Sequence, residues 1–153
     1  LHAAESILKE HPVLFIENES QAPLHVSLLE QIVAEHTSKE VELVLIDAKE
    51  MHDLNLEHRG MDKTTDVLSF PIDDFPHAPL GSIVINYELA DEKAKELGHL
   101  VEEEITLLFI HGLLHLLGYD HEVDQGQMRQ EEESWIQRYN LPSSLIVRTE
   151  DVQ

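Results

Sequence analysis

Apolar positions change their rhythm along this chain, and the changes divide it into elements. "PVLFIEN" (12–18) is a short apolar run of strand character. In "LHVSLLEQIVAEHTS" (24–38), Leu24, Leu28, Leu29, Ile32 and Val33 fall on one helical face, with Pro23 just before it. "VELVLIDA" (41–48) is dense in Val, Ile and Leu and reads as a largely buried strand. "AKEMHDLNLEHRG" (48–60) reads as a helix, with Met51, Leu54 and Leu56 as its apolar positions and Gly60 as its stop. "TDVLSFPI" (65–72) is a strand ended by Pro71, "DDFPHAPLG" (73–81) a loop, and "SIVINYE" (82–88) a further strand.

From there the rhythm is helical. "YELADEKAKELGH" (87–99) closes at Gly98. "VEEEITLLFIHGLLHLLG" (101–118) opens with acidic residues, which suit the positive end of a helix, and ends at Gly118. Its middle is apolar nearly all round, so it is expected to be a buried central helix. "DQGQMRQEEESWIQRYN" (124–140) sets Met128, Trp135, Ile136 and Tyr139 near one face, and Pro142 bars continuation. Strand, helix, strand, helix, two strands and then helices predict an α+β fold: a small mixed four-stranded sheet with helices packed on it. No repeat or linker interrupts the pattern, so residues 1–153 are expected to form one domain.

Composition narrows the chemistry. The 153 residues contain no Cys, which excludes disulfides and thiolate metal sites and fits a reducing cytoplasm. The formal charge of −21 repels polyanions at long range, so any contact with nucleic acid must come from a local positive site or a bound cation. No uncharged run approaches the roughly 18 residues of a membrane span, and no membrane partner is expected. The first residues, "LHAAESILKEH", lack the basic and apolar segments of a secretory signal.

Three histidines change the picture further. In "HGLLHLLGYDH" (111–121), His111 and His115 are four apart on the buried helix, hence one turn apart on the same face. Gly118 ends the helix and turns the chain back, which lets His121 supply a third nitrogen. A lone histidine is more often a satisfied core or surface residue; three at this spacing read as ligands of one metal ion. Three neutral imidazoles leave one position of a tetrahedral zinc open, as a catalytic site requires. The spacing H-x3-H-x2-G-x2-H is the ligand skeleton of the metzincin motif, but Gly112 stands where those peptidases carry their general-base Glu. Asp120, beside His121, is either a residue that orients a ligand or a turn-forming Asp.

Together with "LNLEHRGMDKTTDVLSFP" (54–71), this histidine segment resembles the YbeY family of bacterial rRNA maturation factors, which are metal-dependent, single-strand-specific endoribonucleases. The resemblance implies an α+β fold with a metal cleft beside the central helix, one Zn2+ per chain on His111, His115 and His121, and a functional role for Arg59. It also implies work on ribosomal RNA and the small ribosomal subunit, in 3′-end maturation and ribosome quality control. The acidic surface would suit a basic ribosomal protein as a further contact. Two positions depart from the family: Ser82 stands in a usual Gly-Asp-Ile, and Thr64 replaces a usual Pro before "TDVLSFP".

Arg59, after a helix and before Gly60, is expected at a loop mouth, where a guanidinium grips phosphate in bidentate fashion. Lys63 and Ser69 are further candidates for substrate binding, while Thr65 and Asp66 either bind substrate or order the loop. The triplets Glu102–Glu104 and Glu131–Glu133 read as a helix start and a solvated helix face; Glu104, seven residues before His111, would be the exception if any of them were catalytic. The expected reaction is metal-assisted hydrolysis of an RNA phosphodiester, with no residue marked out as general base. The rivals are a zinc peptidase or amidase, and a non-catalytic ribosome-associated factor that merely binds metal.

Overall fold

A computed structural model of the chain describes residues 13–142. Pro12, placed above in the first strand, and the segment inspected for a secretory signal lie outside the described residues. The described elements follow the expected order: β1 (Leu14–Asn18), α1 (Val26–His36), β2 (Val41–Ile46), α2 (Ala48–Arg59), β3 (Val67–Pro71), β4 (Gly81–Asn86), α3 (Tyr87–Leu97), α4 (Val101–Leu116) and α5 (Gln127–Arg138). The strands form one four-stranded mixed sheet in the order β1-β2-β4-β3. β1, β2 and β4 run parallel, and β3 lies antiparallel at the edge beside β4.

Local chemistry sets the boundaries. Asp47 caps α2 by accepting the Glu50 N–H at 2.8 Å, and Gly60 ends it in the left-handed conformation. Asn86 caps α3 by accepting the Leu89 N–H at 3.1 Å. The Asp124 carboxylate accepts the N–H groups of Gly126 and Met128 at 2.9 Å each, which starts α5 and holds that carboxyl below its usual range. These capped ends explain why α5 begins at Gln127, three residues later than the apolar pattern alone implied.

The parallel strands are buried where they face α4. Leu43, Ile83 and Ile85 pack with Leu29, Ile32 and Val33 of α1 and with Leu107, Phe109 and Ile110 of α4 in one core. On the other face a smaller cluster joins Met51 of α2 to Leu68 and Val84, with Leu54 packed against it. Leu56 was expected on the apolar face of α2 but is exposed; Asn55 is buried instead, donating from Nδ2 to the Lys63 carbonyl at 2.8 Å. That bond ties the chain after α2 back to the helix, and the loop leaving Arg59 is anchored by it.

α4 is the buried central helix: from Glu104 through Leu114 no residue reaches the surface. It packs on β3 and β4 and between α3 and α5. Gly112 makes the approach to the sheet possible. A Cβ there would lie 2.7 Å from Ile83 Cγ2, 3.2 Å from Ile83 Cγ1 and 3.2 Å from Ser69 Oγ. Ser69 Oγ donates to the Gly112 carbonyl at 3.1 Å, so β3 holds the helix at the same point.

Gly112→Ala is expected to destabilise the fold by about 1–3 kcal/mol through overpacking. Ile83→Val, which keeps both γ-carbons, should give no relief, whereas the Gly112→Ala/Ile83→Ala double variant should be less destabilised than the sum of its parts. Denaturant unfolding of the wild type, the three single variants and the double variants carrying Ile83→Val or Ile83→Ala measures this.

Candidate metal centre

The C-terminal turns of α4 bring the histidines out of the core. His111 is 2% exposed and His115 half-buried one turn later. The helix ends at Leu116; Gly118, at φ +106°, reverses the chain, and His121 returns to the same place. The three ring centroids form a nearly equilateral triangle with sides of 4.8, 5.1 and 5.1 Å. One nitrogen from each ring lies within 4.8 Å of the others, and no further Cys, His, Asp or Glu joins the group among the described residues.

The hydrogen bonds around the rings decide where the lone pairs point. His115 Nδ1 lies 3.0 Å from the Tyr119 carbonyl, which can only accept, so Nδ1 carries the hydrogen. His111 Nδ1 meets a carboxylate oxygen of Glu132 and must donate as well. In their neutral forms both Nε2 atoms then bear lone pairs, and they face each other at 3.2 Å. No hydrogen bond can form between two acceptors. A cation between them resolves the conflict, and two nitrogens bound tetrahedrally at zinc distances would stand about 3.3 Å apart. His121 Nδ1 is likewise buried with no hydrogen-bond partner. Burial, and then the neighbouring His111 and His121, hold the His115 imidazole below its ordinary pKa, in the neutral form a metal needs. The donor set therefore fits a divalent ion that prefers imidazole.

The cluster opens onto a cleft of about 420 Å³. Arg59 lines it from the end of α2, Ser69 and Pro71 from β3, and Tyr119 and Asp120 from the turn after α4. The Arg59 guanidinium is exposed and has no carboxylate partner among the described residues. Lys63 is exposed but does not line the cleft. Thr65 and Asp66 are buried at the start of β3, where the Thr65 and Asp66 carbonyls accept from Asn86. The Asp120 carboxylate accepts the Glu122 N–H at 3.0 Å, which shapes the turn that carries His121. The two departures from the family pattern both make hydrogen bonds. Thr64 donates to the Ala48 carbonyl and accepts from Asn86, and Ser82 donates to Glu42 on the neighbouring strand.

Glu132 is the residue that sequence reasoning missed. Assigned to a solvated face, it is 2% exposed and bonded to His111. The signal was present: Glu132 sits four residues after Met128 and three and four before Trp135 and Ile136, on the apolar stripe itself. Glu104, also fully buried, hydrogen-bonds His99 Nε2 at 2.8 Å and does not line the cleft.

Known proteins resemble this chain in sequence and in fold. The family model described as Endoribonuclease YbeY matches residues 9–140. The chain belongs to the YbeY endoribonuclease family. Relatives of that name include one from Sulfurimonas denitrificans, 55% identical over 88% of this chain and 96% of the relative. Another, from Campylobacter jejuni, is 62% identical over 79% of this chain and 90% of the relative. The solution structure of TM1509 from Thermotoga maritima is 27% identical and superposes with a TM-score of 0.54, covering 82% of this chain and 88% of that one.

An imidazole-preferring ion such as Zn2+ or Ni2+ is expected to raise the unfolding temperature, and Mg2+ at the same concentration is not. At 100 times Kd the gain is about 2.7 kcal/mol, and a chelator reverses it. Thermal unfolding with each ion reads this directly.

Proposed function

We propose that this protein is a zinc-dependent endoribonuclease that cleaves single-stranded RNA in the cleft between α2, β3 and the histidine cluster. The observation that carries the reading is the placement of Arg59, without a carboxylate partner among the described residues, across one cleft from three convergent imidazoles, in a YbeY family chain. When bound, the ion supplies Lewis acidity and lowers the pKa of water to near neutrality.

The chain's own groups do the rest. Arg59 takes non-bridging phosphate oxygens and offsets the charge that gathers on them. Ser69 has committed its hydrogen to the Gly112 carbonyl, so toward substrate its hydroxyl can only accept. That suits a ribose hydroxyl rather than a phosphate oxygen, and the 2′-OH is the group that separates RNA from DNA. His111, His115 and His121 hold the ion, and the Tyr119 carbonyl orients His115. Local cations in a chain of charge −21 let RNA approach at one place while the rest of the surface repels it.

The resemblance further supports a role in maturing the 3′ end of small-subunit ribosomal RNA and in ribosome quality control, with residues 1–153 working as one domain in the cytoplasm. Within the described residues no helix is long and apolar enough to cross a membrane. The peptidase rival meets a steric obstacle. Position 112, where that mechanism needs Glu, would seat even a Cβ only by displacing Ile83, whose Cγ2 lies 2.7 Å from where it would stand.

Metal content and cleavage of a single-stranded RNA, measured together, test the proposal. His115→Ala should lose both metal and activity. Arg59→Ala should keep its metal and lose activity by about 10²–10³-fold, as removal of a transition-state charge partner does; full activity would remove Arg59 from the mechanism. The logarithm of RNA affinity should fall with the logarithm of salt at a slope of about −2 or shallower, since only two or three phosphates are neutralised.

A further inference from the structure

We propose that Glu132 is the positioning residue of the metal centre: from α5 it fixes the His111 ring and strengthens that ring as a ligand. The inference rests on the metal reading of the histidines given above.

The three ligands are not held alike. The far nitrogen of His115 is held by a backbone carbonyl, and His121 Nδ1 has no partner among the described residues. Among the described residues only His111 is backed by a carboxylate, and both side chains of that pair are 3% exposed. An ionised carboxylate that accepts the Nδ1 hydrogen pushes electron density into the ring, which makes Nε2 a better donor to a cation. It also forbids the tautomer that would turn an N–H toward the ion. In the dry interior between α4 and α5 this influence is not diluted by water.

The alternative is that Glu132 merely joins two helices. A lone carboxylate on a stripe that includes Met128, Trp135 and Ile136 is a poor device for that purpose, because an apolar residue of similar size would pack there without desolvating a charge. The two roles separate experimentally. A helix tie affects unfolding and leaves the zinc affinity of folded protein unchanged. A positioning group grades affinity by the strength of the acceptor: carboxylate above amide, amide above alkyl.

The test compares wild type, Glu132→Gln and Glu132→Leu by competition for Zn2+ with a chromogenic chelator, alongside thermal unfolding of each metal-free protein. Long-range 1H–15N correlation spectra of the zinc-loaded wild type report which ring nitrogen of His111 is ligated. We expect ligation through Nε2 with the hydrogen kept on Nδ1. Zinc Kd should rise about 10-fold in Glu132→Gln and towards 100-fold in Glu132→Leu. The metal-free Glu132→Gln protein should unfold near the wild-type temperature. Ligation of His111 through Nδ1, or wild-type zinc affinity in the substituted proteins, would overturn the role of Glu132 and leave the metal reading standing. A wild-type protein that takes up no zinc would overturn the metal reading itself. If Glu132→Leu fails to fold, the Gln variant and the wild-type spectrum decide.

Discussion

α4 lies against β4 so closely that any side chain at position 112 would have to displace Ile83, and much of the site follows from that contact. With Ile83 at 2.7 Å from where a Cβ would stand, and Ser69 bonded to the carbonyl, the helix is fixed both in depth and in rotation. His111 and His115 are thereby aimed past the edge of the sheet into the cleft rather than into the core. The same absence of a side chain removes the position from which a metzincin-like Glu would act. One packing constraint therefore decides both the geometry of the histidine cluster and the class of chemistry open to it.

The buried end of α4 explains why the imidazoles are ready for an ion. Burial disfavours charge on His115, and the hydrogen-bond acceptors behind His111 and His115 force hydrogens onto the outer nitrogens. In those tautomers the two Nε2 lone pairs face each other at 3.2 Å, an arrangement in which both could serve one cation. α4 holds the rings in place through the apolar contacts that bury it in the core.

Much of this was legible in the sequence, and the parts that were not share a cause. Element order and sheet composition followed from apolar periodicity, and the histidine spacing located the cluster because a helix converts four residues into one turn. Helix ends were placed less well where a polar cap, such as Asp124, decides the first turn. Leu56 and Asn55 exchanged roles on α2 because the carbonyl of Lys63 offers Asn55 a partner that no local pattern reveals. Glu132 was assigned to solvent on the strength of its acidic neighbours. Its burial depends on His111, a partner 21 residues away. Local rhythm reports which face a residue occupies, and long-range pairing decides whether a charge can remain there. Lys63 illustrates the same limit from the other side, close to Arg59 in sequence yet outside the cleft lining.

X-ray absorption at the zinc edge of the metal-loaded protein probes the central claim most directly. Three imidazole nitrogens at about 2.0–2.1 Å with one further light atom from solvent are the shell this account requires. A shell with fewer than three imidazoles, or one closed by a fourth protein side chain, would contradict it.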